Sequence, residues 1–256
     1  MERSSIKLDT KFFIIHNLDK NRKKRILSEL RNAGVNDKDI IFINHPNKNE
    51  ITYRIKKTAV QRNTKQGLEK KTIKDGWISV TYKHYLALKN IVENSIPLAF
   101  IIEDNVGKIN GNIYERISNY LEDLPKDWGV VFESDQFPFS YTKESVVDKN
   151  SIVHQKSNDE TYFDDGSLLL GGGTRSAQFY FINFDTAKVL HDNYLPFNHA
   201  PDFWMNELFR KLNIKSFWAE PSMIETEKHH RTSTNFEYSD IFHVLKSKLI
   251  NFILRL

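Results

Sequence analysis

The sequence predicts an α/β fold in which a mostly parallel central sheet is flanked by helices. Two short apolar runs, at residues 12–15 and 98–102, lack the alternation of a half-exposed strand, as expected for strands that are covered on both faces. Between such runs, apolar residues recur at helical spacing, for example Ile26, Leu30 and Ala33. Strands that alternate with helices in this way are typical of a parallel sheet.

The predicted elements extend over most of the chain. Strands are expected at residues 12–15, 40–43, 98–102, 128–132, 178–182 and, as a final edge strand, 216–221. Helices are expected after an N-cap at Asp19, from Trp77 to about residue 92, at 114–121, after an N-cap at Asp185 and from Pro201. Residues 44–76 are predicted to form a surface excursion and residues 136–165 to be rich in loops. We expect one domain over residues 1–228 and a separate C-terminal tail over residues 229–256.

Composition narrows the class of protein. The chain has 256 residues, of which 39% are hydrophobic and 27% charged, and this balance is typical of a folded protein rather than a disordered one. The net charge of +4 favours anionic ligands. There is no cysteine, which excludes disulfides and thiolate metal sites. The first residues lack the apolar run of a signal peptide and no stretch is long enough to span a bilayer, so we expect a cytoplasmic location.

Polar side chains follow the apolar run at residues 98–102, where the strand is predicted to end. They are Glu103, Asp104 and Asn105. In open α/β sheets the ligand lies outside the carboxyl ends of the strands, and oxygen donors there suit Mg²⁺ or Mn²⁺ holding a diphosphate. The same residue types are also common in turns that end a strand. The segment alone leaves both interpretations open.

The first predicted strand is followed by side chains that suit a nucleotide. His16 and Asn17 come directly after it, and Asp19 is placed to cap the next helix. Arg22 and Arg25 lie in the first turns of that helix. These residues are therefore expected close to the point where a nucleotide would meet the end of the strand.

Two later segments carry further candidates. Gly173 ends a glycine triplet, which lets a ligand approach the backbone, and it is followed by Thr174 and by Arg175, which could meet phosphate or sugar oxygens. Asp202 follows Pro201 and precedes Trp204, and this pattern suits either an ordinary helix start or an acidic group at the mouth of a sugar-sized groove.

The C-terminal tail carries two features of its own. Its paired histidines, at positions 229 and 230, could ligate a metal, although exposed histidines beside Lys and Arg are more often unliganded. Residues 241–256 predict a basic amphipathic helix, which either docks on the domain or lies on a membrane surface.

The order of these segments resembles glycosyltransferase family 25, which includes lipopolysaccharide-biosynthesis and collagen-type galactosyltransferases. The resemblance runs from about residue 12 to residue 226. Its blocks are the opening strand and turn at 13–19, the helix around His84, the acidic segment at 100–106, the segment at 173–187, the pair at 201–202 and the segment at 221–225.

The resemblance implies a Rossmann-like fold of the GT-A type and transfer of a sugar from a nucleotide-sugar donor, usually UDP-galactose, to a hydroxyl of a glycan or glycoconjugate, with inversion. It implies the following roles. The residues that would bind the donor are His16, Asn17, Arg22, His84, Glu103, Asp104, Gly173, Thr174 and Arg175. A Mn²⁺ or Mg²⁺ ion would be held by Glu103, Asp104 and Asn105. The catalytic base would be Asp202, with Glu225 as the second candidate, and Trp204 would stack on the acceptor sugar.

The chain departs from the family pattern at two of these positions. Asn105 stands where the family has an acidic residue, so metal affinity should fall, or Arg175 and Lys or His groups should stabilise the diphosphate instead. Lys83 replaces a serine. These departures leave open a catalytically degenerate member that binds sugar nucleotide without turnover. The basic segment at 48–74 suggests nucleic-acid binding as a third class, but that class does not explain the acidic strand end, and we expect no nucleic-acid partner.

Overall fold

A computed structural model describes residues 10–59, 62–63, 70–71, 73–133, 146–149, 153–156, 161–162, 168–169 and 177–226. The predicted C-terminal tail lies outside the described residues. So do Gly173, Thr174 and Arg175. The division at residue 228 and the roles of these three residues therefore stay predictions.

The fold is built on an eight-stranded sheet, which confirms the predicted α/β class with a mostly parallel central sheet. The described residues form the strands β1 (Thr10–Ile15), β2 (Ile40–Ile43), β3 (Arg62–Asn63), β4 (Lys70–Lys71), β5 (Leu98–Glu103), β6 (Val106–Ile109), β7 (Val130–Phe132), β8 (Val146–Lys149), β9 (Val153–Lys156), β10 (Thr161–Tyr162), β11 (Leu168–Leu169), β12 (Phe179–Asn183), β13 (Ser216–Ala219) and β14 (Ile224–Thr226). The main sheet has the order β2-β1-β5-β12-β7-β13-β9-β8. Six of its strands point one way, and only β12 and β9 run against them.

Helices cover both faces of the sheet. They are α1 (Lys20–Asn32), α2 (Tyr53–Lys56), α3 (Asp75–Glu93), α4 (Ile113–Asp123), α5 (Phe184–Tyr194) and α6 (Pro201–Leu212). Alternate strand residues point to opposite faces: Phe12 and Phe100 pack with α1 and α4 in one core cluster. Phe13 and Ile101 pack with α3, α5 and α6 in the other. The strands are thus covered on both faces, which explains their continuous apolar runs.

The helix starts follow local capping chemistry, with one correction. Asp19 caps α1, as predicted, because its side chain accepts hydrogen bonds from the backbone N–H groups of Asn21 and Arg22. The predicted cap of α5 is wrong: Asn183 is the N-cap, and its side chain accepts from the N–H of Thr186 at 2.8 Å. Asp185 instead lies in the first turn, where its charge favours the helix N-terminus.

The structure also contains strands that the sequence did not indicate. Strand β6 directly follows Asn105 and pairs with β14 in a separate two-stranded sheet. The predicted loop-rich region contains β8 and β9, and β9 pairs with β13, so β13 is an interior strand rather than the predicted edge. The short polar sequences of β8 and β9 have no clear local period. Strand β8 pairs with the neighbouring β9, and the pairing of β9 with β13, far along the chain, joins this hairpin to the sheet.

Gly129 provides a test of packing beside β7. A Cβ atom at this position would lie 2.5 Å from Ile214 Cγ2 and 2.7 Å from the backbone oxygen of Lys215. Because the backbone oxygen cannot move without disturbing the sheet, we expect Gly129→Ala to lower the free energy of unfolding by roughly 1–3 kcal/mol. Urea unfolding of wild type and variant measures this, and an unchanged midpoint would contradict the packing described here.

Candidate functional site

Asp104 joins the ends of two neighbouring strands. It follows β5, which runs parallel to β1, with Ile15 opposite Glu103 in the register. The carboxylate is only 5% exposed. Its Oδ2 lies 2.8 Å from Nδ1 of His16 and accepts a hydrogen bond of 3.1 Å from the backbone N–H of Asn17. Its Oδ1 accepts a hydrogen bond of 3.1 Å from Arg22 Nη1. The structure thus brings these four predicted residues into contact.

The electrostatics keep Asp104 ionised. Burial raises its pKa, but the hydrogen bonds from His16 and from the Asn17 N–H and the charge of Arg22 lower it, and the net pKa shift is downward. Arg25 Nη2 also donates to the backbone oxygen of Asp104 at 3.1 Å. Asp104 is therefore the anion that holds the β1–α1 loop, with its cations, against the end of β5.

These contacts bear on the predicted cation. Oδ2 of Asp104 has two hydrogen-bonding partners and Oδ1 has one, so Oδ1 keeps a lone pair that a cation could use, and Glu103 and Asn105 offer further oxygens. Glu103 has a side chain that is 20% exposed, and Asn105 Oδ1 is buried without a hydrogen-bond partner. Among the described residues, no group of three or more His, Cys, Asp or Glu side chains is arranged to hold a metal. Such oxygens fit a Mg²⁺ or Mn²⁺ ion that takes its remaining ligands from phosphate and water, so the cation stays a prediction.

A second set of polar groups surrounds Glu103. His84, on α3, is fully buried. Its Nε2 lies 3.4 Å from Glu103 Oε1, and its Nδ1 lies 2.9 Å from the hydroxyl of Tyr180 on β12. Burial, followed by the charges of Tyr194 and Glu103, raises the Tyr180 pKa well above its usual value, so this hydroxyl stays protonated. The two ring nitrogens of His84 therefore link the Tyr180 hydroxyl to the Glu103 carboxylate.

Asp202 belongs to the same set of groups. It is the second residue of α6 and is partly buried. Burial raises its pKa to about 6; the N–H of Phe203 opposes that shift, the charge of Glu103 adds to it, and His84 opposes it. A carboxyl group with such a pKa is ionised at neutral pH and still takes up a proton readily. It therefore suits a general base.

Two other predicted residues lie elsewhere. Trp204 is 8% exposed, and its indole N–H donates to the backbone oxygen of Tyr194 at 2.8 Å. It packs in the core beneath α6. Glu225, on β14, is exposed and accepts a hydrogen bond of 2.9 Å from Asn110, which follows β6. The acceptor role of Trp204 and the second-base role of Glu225 stay predictions, and neither contact joins these residues to Asp202.

Sequence reasoning missed two polar residues of the site. The sequence places Tyr180 in an apolar strand, and the signal for its role is that a hydroxyl in such a run needs a partner. Lys83 stands in the sequence as a replacement of serine, yet it is 3% exposed. Its position one turn before Ala87, on the buried face of α3, is the signal that could have revealed it.

The mixed α/β sheet, with cationic and proton-accepting side chains collected at the carboxyl ends of β1 and β5, defines a ligand-binding α/β protein of enzyme type. Comparison with known families gives a narrower result. The model of glycosyltransferase family 25, described as an LPS biosynthesis protein family, matches residues 9–205. The chain belongs to this family and is a glycosyltransferase by membership.

Other comparisons add little. A197 from STIV has a TM-score of 0.42 and 11% identity, covering 90% of this chain and 99% of that one. The 4-diphosphocytidyl-2C-methyl-D-erythritolsynthase from Anaerococcus prevotii DSM 20548 has a TM-score of 0.40 and 11% identity, covering 91% and 95%. Both likenesses are too weak to support a conclusion. No curated protein sequence matches the chain. Within the described ranges, no helix is long and apolar enough to cross a membrane.

Proposed function

We propose that the protein transfers a hexose, galactose from UDP-galactose, to a hydroxyl group of a glycan or glycoconjugate acceptor, with inversion at the anomeric carbon. The observation that carries this proposal is Asp202 in the first turn of α6, a carboxyl group with a pKa of about 6 on which the charges of Glu103 and His84 act. Membership of family 25 supports glycosyl transfer. The donor, the sugar and the stereochemistry are our proposal.

The chemistry follows from what a single displacement needs. The acceptor oxygen forms a bond to the anomeric carbon and gives its proton to Asp202, while the bond from that carbon to the diphosphate breaks and its electron pair leaves with the diphosphate oxygen. The charge of Glu103 keeps the Asp202 carboxylate a good proton acceptor. A Mn²⁺ or Mg²⁺ ion held by Glu103, Asp104 and Asn105 would neutralise charge on the diphosphate.

The site of action is also part of the proposal. We place the reaction in the synthesis of lipopolysaccharide or a related glycan in the cytoplasm. The predicted basic helix at residues 241–256 would give peripheral contact with the membrane where such an acceptor is held.

A donor screen tests the function. We expect the protein to release nucleotide from UDP-galactose in preference to UDP-glucose, UDP-N-acetylglucosamine and GDP-sugars, with water as a slow acceptor. The release from each donor is measured once with Mn²⁺ and once with chelator. A donor that binds by calorimetry without release would support the catalytically degenerate alternative. That alternative is motivated by Asn105. Failure of every donor to bind would contradict both.

The pH dependence of the rate follows from Asp202. Because the base must be ionised to accept the proton, and its pKa is about 6, we expect the rate of nucleotide release to rise with pH through about 6 and then level off. The residual rate of the Asp202→Asn variant should not show this rise with pH. A rate that falls as pH rises through this range would contradict the assignment.

A further inference from the structure

Lys83 is a buried cation that contacts no carboxylate among the described residues. Its ammonium group donates to the backbone oxygen of His16 at 2.6 Å and to Asn47 Oδ1 at 3.0 Å. Both of these acceptors are neutral oxygens. A buried ammonium group is costly unless an anion compensates its charge. One of its three hydrogens has no acceptor in these contacts.

The location of Lys83 shows which kind of anion fits. His16 follows β1, and Asn47 lies in the loop that follows β2, so the ammonium group lies at the carboxyl ends of two parallel strands. The charge of Asp104 acts on it from the end of the third, β5. Asp104 itself is already bound by His16 and Arg22. A ligand that enters this edge therefore meets the charges of Arg22 and Lys83 together.

We propose that Lys83 binds the diphosphate of the donor, with Arg22 beside it, and stabilises the negative charge that develops when the sugar leaves. This proposal rests on the proposed function. The bond between the anomeric carbon and the diphosphate oxygen breaks, its electron pair stays on that oxygen, and Lys83 donates a hydrogen bond there without losing its proton. The residue thus adds protein charge at a site where Asn105 supplies no negative charge for a metal.

A purely structural role is the competing explanation, and α3 offers a matched control for it. Ser79, one turn before Lys83, donates from its hydroxyl to the backbone oxygen of Pro46 at 2.7 Å. Both side chains therefore fasten the same loop to the same helix, but only Lys83 is charged. Ser79→Ala weakens the attachment of the loop and leaves the charge in place.

The test compares UDP with uridine, which has no phosphate. In Lys83→Met we expect the affinity for UDP, measured by calorimetry, to fall by about tenfold or more, while the affinity for uridine, measured by NMR titration, stays within about twofold. Ser79→Ala should leave the ratio of the two affinities unchanged, and Lys83→Arg should keep part of the preference for UDP. Retained uridine binding also shows that the variant is folded.

Two results would overturn the proposal. An equal loss of UDP and uridine binding in Lys83→Met, matched by Ser79→Ala, would make Lys83 a structural residue. Unchanged UDP binding would remove it from the site while leaving the proposed function intact. If the wild-type protein binds no UDP and releases no nucleotide from any donor, the proposed function fails, and this proposal fails with it.

Discussion

Asp202→Asn is expected to abolish most turnover while leaving donor binding intact. Amide nitrogen and oxygen cannot take the proton of the acceptor hydroxyl, and loss of a general base typically costs about 10²–10⁴-fold in rate. The donor affinity should stay within about twofold, because the amide is nearly isosteric and its oxygen can still accept from the Phe203 N–H. Nucleotide release and calorimetry on the same preparations measure the two quantities.

The same substitution should not destabilise the protein. Because the folded pKa of Asp202, about 6, lies above its unfolded value, folding is penalised once the group ionises. Wild-type stability should therefore fall as pH rises from about 4 to about 6, by on the order of 1–3 kcal/mol, and the variant should lack this fall. At pH 7 the variant should be at least as stable as wild type, as judged by urea unfolding.

Asp185→Asn is the matched control for this prediction. Asp185 is the second residue of α5, as Asp202 is of α6, but it is exposed. Its substitution should change neither the rate nor the pH dependence of stability. Full activity in Asp202→Asn would remove the base assignment, and equal losses in both variants would trace the effect to the helix ends.

Asp104→Asn is expected to have the largest effect on stability. The substitution leaves Arg22 and Arg25 beside His16 without the anion that they share, and breaking a buried charge pair costs on the order of 3 kcal/mol. The pKa of Asp104 is lowered in the folded protein. Its stabilising contribution is therefore complete above the unfolded pKa of about 4 and is lost as pH falls through the lower folded pKa.

An exposed pair of the same chemistry serves as the control. Arg31 contacts Asp37 at 2.6 Å, with side chains that are 55% and 60% exposed. Asp37→Asn should change the free energy of unfolding much less than Asp104→Asn, because solvent screens an exposed ion pair. Urea unfolding at pH 7 and at pH 3 compares the two variants. Equal small effects would show that Asp104 does not anchor the β1–α1 loop.

The local sequence was sufficient to predict the ends of strands and helices where one residue type decides the backbone structure. The end of β5 at Glu103 and the cap at Asp19 follow from apolar runs and capping chemistry. The hairpin of β8 and β9 could not be predicted, because its polar strands depend on a distant partner.

The residue types of the candidate site could be predicted from the sequence, but the contacts between their side chains could not. Glu103 and Asp202 are far apart in the sequence, and only the packing of α6 places the charge of one beside the other. Asp104 is predicted to hold a cation, and that role stays a prediction; the contacts of its oxygens with His16, Asn17 and Arg22 are seen only in the structure. Side-chain partners of this kind depend on tertiary contacts that a single sequence does not display.

The configuration of the sugar first released from UDP-α-galactose tests the central claim most directly. Proton NMR during the first minutes of donor hydrolysis distinguishes the anomers before they equilibrate. A single displacement, with Asp202 as the base that activates water or acceptor, predicts β-galactose as the first product. Release of α-galactose would show that configuration is retained, and it would contradict the inverting mechanism that we assign to this site.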